Sequence, residues 1–395
     1  MAVGVRAWAK VGAAVVALAL VAAGCGGDDD DASSSDTGEG GASSLPETIT
    51  VGYQNIPNGD LVVKQSGWLE EAYGDDVEVK WTLFDSGGSV NEAVIGGSVD
   101  IGLVGSSPAS RGLSSGIEYR VPWIHDVIGE AEALVARGDI DSVEDLKGAR
   151  IATPFASTSH YSLLAALEDA GLSADDVELV DSEPEDILAA WQQGDIDAAY
   201  VWNPVLAELL ADGGTTLITS ADLAEQGKTT YDLAVVTDEF AEEYPDAVET
   251  WVAQQDRAVA LIQDDPDAAA ELVATELNIT PEEAADQLGD LVFLRASEQV
   301  GDEYLGGGLA ENLFAAAEFN QSLGEIDSVL EESGNSDALD STFAEAVAAD
   351  ASPAGGRRRR RRPPSDRGRR RAPPLPGSVR RRRRPRAGVG HGRTR

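Results

Sequence analysis

Three times the chain passes from a short apolar segment through a turn of small hydroxyl residues into a helical pattern. That repeat constrains the fold more than any other feature. In one copy Ala149–Thr153, bounded by Gly148, reads as a buried strand; Tyr161, Leu164, Ala165 and Leu167 then recur at helical spacing up to Gly171. Ser157, Thr158 and Ser159 fill the turn between them. In the second copy Val77–Phe84 leads through Ser86-Gly87-Gly88-Ser89 into Val90–Ile95, and in the third Val99–Val104 leads into Gly105-Ser106-Ser107-Pro108. Pro108 suits a first helical turn, where no N–H is needed. Strands alternating with helices predict an α/β fold with a mainly parallel sheet, whose ligand sits at the carboxyl ends of strands. All three turns fall at that end. Each offers unpaired backbone N–H groups, the positive end of a helix dipole and neutral hydroxyls, which makes an anion site without a cationic side chain. Taken singly, each turn is equally an ordinary Ser/Thr helix cap; the repetition favours the site.

The charge distribution excludes one large class of function. Residues 1–350 carry 12 Lys and Arg against 69 Asp and Glu, whereas the last 45 residues carry 18 Arg against Asp366 alone. An acidic body lacks the clustered cations that phosphate backbones require, so nucleic acid is not expected as its partner. The single cysteine, Cys25, allows no intramolecular disulfide and no thiolate cage, and His125, His160 and His391 are scattered. No metal or cofactor is expected.

Taken in order, residues 1–25 combine Arg6 and Lys10 with an apolar run from Val11 to Ala23, and read as a secretory signal. Cys25, directly after Ala22-Ala23-Gly24, resembles a bacterial lipobox cysteine, with Ala22 where Leu is usual; lipidation there would anchor the protein on the outer face of the cytoplasmic membrane. Residues 26–46 are mostly Gly, Asp and Ser and read as a disordered acidic linker. The folded part opens with the strand Thr48–Tyr53. Further strands are expected at Tyr119–Val127, Glu132–Ala136, Val177–Val180, Asp197–Trp202 and Leu233–Val236, with amphipathic helices near 245–263, 266–276, 281–289 and 308–322. Residues 351–395 are low-complexity Arg, Pro and Gly. They read either as a basic tail or as a 3′ end translated out of frame, and no role is assigned to them.

Several of these stretches carry a resemblance. Val51-Gly52-Tyr53-Gln54, Phe84-Asp85-Ser86-Gly87-Gly88-Ser89, Asp100–Pro108, Glu132–Val135, Pro154–Leu167, Ala189–Asp197 and Ala199-Tyr200-Val201-Trp202-Asn203-Pro204 are similar to the solute-binding proteins of ABC importers for sulfonates, nitrate and thiamine precursors. Ser157–Leu167 together with Tyr200-Val201-Trp202 resembles the taurine branch. Where that branch reads Gly-Asn-Ser-Glu, this chain has Gly129-Glu130-Ala131-Glu132. The resemblance implies a two-lobed type II periplasmic-binding fold. One lobe would combine 47–132 with 236–350, the other would hold 133–235, and two crossings would form a hinge. It implies taurine or a related aminosulfonate as ligand, and an ABC permease with its ATPase as partners.

For such a ligand, Ser86, Ser106, Ser107, Thr158 and Ser159 are the candidate donors to the sulfonate. A dehydrated oxyanion needs hydrogen bonds on its oxygens. His160 and Tyr161 are further candidates, and Gln54 is carried over from the resemblance alone. None of these motifs contains Lys or Arg, which favours a zwitterion. Glu132 and Asp232, at the two lobe crossings, are then the expected acids for the ammonium, with Trp202 covering it through its ring face. An alkanesulfonate or another small anion or zwitterion is the alternative ligand. An enzyme is the rival class, because Ser157–His160 invites a Ser/His reading; however, neither a nucleophile elbow nor a triad accompanies it.

Overall fold

The computed structural model describes residues 45–351. Cys25, the leader, most of the linker and the Arg-rich tail lie outside the described residues. Eleven strands occur in the described chain: β1 (Thr48–Tyr53), β2 (Glu78–Leu83), β3 (Ile101–Gly105), β4 (Tyr119–Ile128), β5 (Glu132–Ala136), β6 (Arg150–Thr153), β7 (Glu178–Asp181), β8 (Ala198–Trp202), β9 (Thr215–Thr219), β10 (Thr230–Thr237) and β11 (Leu291–Val292). They form two sheets, in the orders β11-β4-β10-β3-β1-β2 and β7-β6-β8-β5-β9. Helices flank both.

Each sheet is mixed. The strands that precede the hydroxyl turns pair in parallel, β1 with β2 and β3, and β6 with β7 and β8. The strands near the crossings run the other way, with β10 antiparallel to β3 and β4, and β5 antiparallel to β8 and β9. The parallel share is therefore smaller than the strand–helix alternation implied. β9 and β11 were not evident in the sequence.

The chain passes between the sheets at residues 129–131 and again between the helix Ser220–Ala224 and β10. The second crossing thus precedes Thr230, not residue 236 as the sequence suggested. The reason is that all of β10 is locked between β3 and β4 by backbone pairing.

Burial in the second sheet follows the two-residue period of a strand covered on both faces. Ala133, Val135, Ala199 and Val201 pack on one face against Ile187, Trp191 and Leu209. Leu134, Ala136, Ala198 and Tyr200 pack on the other against Leu163, Leu167 and Leu223. The same parity turns Glu132, the first residue of β5, toward the helix Thr158–Asp169. It also sets Glu132 directly opposite Trp202 across the β5–β8 pairing.

Candidate functional site

The three hydroxyl turns do what strand-end turns in α/β folds are placed to do: they bring helix starts together. The helices Gly87–Ile95, Ser106–Ser114 and Thr158–Asp169 begin at the carboxyl ends of β2, β3 and β6. Gly87, Gly105, Ser157 and Thr158, from the starts of all three, line one pocket enclosing about 440 Å³ of empty space, mouth included. Gln54, Glu132, Trp202, Asn203 and Asp232 line it too, with an apolar remainder that includes Ile56, Pro57, Pro108 and Leu291. Of the residues singled out in the sequence, Gln54, Glu132, Thr158, Trp202 and Asp232 are thus brought together. No Lys or Arg is among the described residues that line this pocket.

Glu132 is almost wholly buried, and four hydroxyls hold it. Thr158 Oγ1 and Ser159 Oγ donate to its Oε2 at 2.6 and 2.8 Å, while Ser220 Oγ and Ser162 Oγ donate to Oε1 at 2.6 and 3.4 Å. Burial raises the Glu132 pKa, opposed by those hydrogen bonds, of which Ser220's is the strongest. A hydroxyl has one proton to give. In this structure Thr158 and Ser159 therefore serve a carboxylate of the chain itself, where the sequence had suggested a bound anion. Ser86 behaves alike, donating to Glu183 Oε1 at 3.2 Å from the first sheet's side to the second's.

The other expected donors are placed differently. Ser106 Oγ accepts from the Tyr231 N–H at 3.2 Å and Ser107 Oγ from Asn320 Nδ2 at 3.3 Å, so each keeps its own proton to donate. Gln54 donates through Nε2 to the Leu103 carbonyl at 3.0 Å. The His160 ring stacks on Phe155 at 4.5 Å, its Nδ1 accepts from the Ala156 N–H, and burial lowers its pKa. Tyr161 packs edge-on against Phe319 at 5.0 Å. Ser157 is a helix cap that accepts from the His160 N–H at 3.1 Å. The Ser–His run is therefore no nucleophile dyad, since Ser159 donates to Glu132 and His160 is engaged within its own turn.

Asp232 approaches the pocket from the first sheet. It is 6 % exposed, and burial followed by the charge of Glu132 pushes its pKa up to about 7. Residues that the sequence did not single out complete the surroundings. Asn203 donates through Nδ2 to Asp290 Oδ2 at 3.0 Å, beside the first crossing, and Ser162 and Ser220 finish the Glu132 cradle. Ser220 had one visible signal, its place as the first of a short helix after Thr219.

The NMT1-like family model matches residues 43–277. The chain belongs to the NMT1-like family. Among curated relatives, the taurine-binding periplasmic protein of Escherichia coli (strain K12) is 41 % identical over 203 residues, which are 51 % of this chain and 62 % of that protein. A protein of the same organism named for binding aliphatic sulfonates is 32 % identical over 189 residues, 47 % of this chain and 59 % of its own length. The chain thus spans about three fifths of these two relatives. Among solved structures, the alkanesulfonate-binding protein SsuA of Xanthomonas axonopodis pv. citri, bound to MOPS, superposes with a TM-score of 0.63 at 22 % identity. That match covers 74 % of this chain and 98 % of the other. It establishes that this NMT1-like protein has the two-sheet periplasmic-binding fold.

Proposed function

We propose that this protein is the solute-binding component of an ABC importer, capturing taurine or a close aminosulfonate for a permease and its ATPase. One observation carries the reading. The pocket joins the starts of three helices, which favour an oxyanion, to two buried acids, Glu132 and Asp232, which favour a cation, with no Lys or Arg on its wall among the described residues. A small molecule bearing both charges suits such a pocket, and a simple anion leaves the acids without a compensating positive charge. With Ser86, Thr158 and Ser159 donating to carboxylates, and Ser106 and Ser107 set back from the pocket wall, the sulfonate oxygens fall to the N–H groups at the helix starts. Trp202 covers the ammonium, a contact of about 0.5–2 kcal/mol.

The halves built on the two sheets act as lobes that close on the ligand, and the closed form is what a permease distinguishes from the empty one. No helix among the described residues is long and apolar enough to cross a membrane. Export by the leader and acylation of Cys25 would place the folded body outside the cytoplasm on a lipid tether. The identity to a taurine-binding relative supports the choice of ligand.

Calorimetric titration with taurine and with isethionate, which carries a hydroxyl in place of the ammonium, tests the reading. Tight taurine binding with much weaker isethionate binding is expected. Equal binding would remove the ammonium roles of Glu132 and Asp232, and no heat from either would overturn the aminosulfonate reading.

A further inference from the structure

Behind Asp232 lies a second acid that the site described above does not use. Asp126 in β4 stands directly opposite Asp232 in the antiparallel β4–β10 pairing, and the register shifts immediately after that pair. Opposed residues project to the same face of a sheet, and a bulge at such a point re-aims the side chains beside it. The two carboxyls thus face each other across the paired strands, and the charge of Asp232 acts directly on Asp126. Asp126 is fully buried, and neither of its oxygens receives a hydrogen bond from a described donor. It does not line the pocket; Asp232 does.

The groups that face Asp126 offer no compensating charge. β10 contributes Asp232, the helix Gly59–Ser66 contributes Asp60, and β5 contributes Glu132. His125 precedes it on β4, with Nε2 at 3.6 Å from Asp60 Oδ2, and burial pushes the imidazole down to about 3, so it is neutral. The helix Pro245–Asp264 adds Trp251 against His125 and Gln255 against Asp60, neither of them charged. No described Lys or Arg forms an ion pair with Asp126, Glu132 or Asp232. Two carboxyls so close in a dry, cation-free site do not both ionise; one keeps its proton and becomes the donor.

We propose that Asp126 and Asp232 hold one proton between them in the empty protein and that the cationic end of the ligand displaces it. Capture of an ammonium group is then coupled to release of a proton. The proton leaves a carboxyl for bulk water through the pocket that Asp232 lines, the ammonium keeps all of its own, and the resulting carboxylate faces the new cation. Burial, which pushes Asp232 up to about 7 and Asp126 well above the carboxylate range, supports this order of affinity. Asp126 is a positioning residue that sets the protonation of Asp232. The inference relies on the aminosulfonate reading for the ligand and stands independently of it for the acid pair.

Proton linkage supplies the test. With one proton released per ligand, taurine affinity rises about tenfold per pH unit below the titration of the pair. Calorimetry of taurine binding to the full chain at about pH 6, in phosphate and in Bis-Tris, counts that proton, because both buffer at this pH and take it up with different heats. Enthalpies differing by close to one proton's worth for taurine, with no difference for isethionate, are expected. Asp126→Asn, whose amide donates to an already ionised Asp232, is expected to abolish the difference while still binding taurine. Equal enthalpies for the unaltered protein in both buffers would overturn the proposal and leave the taurine reading intact; that arm needs no variant. If taurine gives no heat at all, the taurine reading falls, and carboxyl NMR of the empty protein decides the pair. One protonated member near pH 6 upholds the shared proton, and two ionised members overturn it.

Discussion

Gly105 ends β3 of the first sheet and Thr158 opens the helix that follows β6 of the second, yet they meet so closely that a Cβ on the glycine would lie 2.5 Å from the threonine's Cγ2. Gly105 has φ −70, a conformation open to any residue, so space and not backbone is what forbids a side chain here. Gly105→Ala is expected to displace Thr158 from Glu132 and to cost about 1–3 kcal/mol of stability, the usual range for overpacking. A lowered urea midpoint and a weaker taurine complex would show it. An unchanged midpoint would mean that the two halves part without cost.

Glu132→Gln keeps the shape of the acid but sets an amide N–H₂ among four hydroxyl donors and removes the charge. Taurine affinity is expected to fall by about ten- to a hundredfold, in line with about 1.5–3 kcal/mol for a hydrogen bond to a charged group. Isethionate binding should change little. Comparable losses for both ligands in the calorimeter would show that Glu132 only supports the fold.

Trp202→Ala discriminates in the same way with a smaller effect. The ring stands opposite Glu132 across the β5–β8 pairing and walls the pocket. Its loss is expected to weaken taurine by about 0.5–2 kcal/mol while leaving isethionate near its original affinity. Tryptophan fluorescence that does not respond to taurine would contradict the placement.

Asp60 gives a pH prediction for the empty protein. Burial pushes this carboxyl up to about 7, partly offset by a hydrogen bond from Gln255 Nε2 at 2.6 Å. An acid whose folded pKa is raised binds more protons in the folded state. Its stability contribution is complete below the unfolded value near 4 and is lost as pH rises through about 7. Asp126, Asp232 and Glu132 act in the same direction. His125 and His160, whose pKa values burial lowers, act oppositely below about 6.5. The melting temperature of the empty protein is therefore expected to fall by several degrees from about pH 6.5 to 8, and Asp60→Asn to flatten that fall. A melting temperature that rises over this interval would reverse the assignment.

Much of the frame was legible because it rests on local signals. Hydroxyl turns after short apolar runs located the starts of three helices, and those starts do converge. The acids were legible unequally. Glu132 and Asp232 came from their places near the two crossings and from the resemblance. Asp126 was invisible, because β4 is buried along nearly its whole length and shows no alternation that would mark an acid out of place. Its partner lies on a strand about a hundred residues later, a pairing that no local pattern encodes. The engagement of Thr158 and Ser159 with Glu132 was hidden for a related reason. Convergent donors can be read from sequence, but whether their acceptor is a ligand or a side chain of the same protein depends on tertiary placement.

The acids that face the pocket belong to opposite sides of it. Glu132 and all four of its hydroxyls lie with the second sheet, whereas Asp232 lies with the first, and the charge of Glu132 raises the cost of ionising Asp232. Were Glu132 and Asp232 both ionised with nothing between them, like charges would face each other across the seam and repel. A cation between them reverses the sign of that force. On the proposed reading the ligand's own charge would be the latch, and a molecule that fits the pocket without it would leave the door ajar.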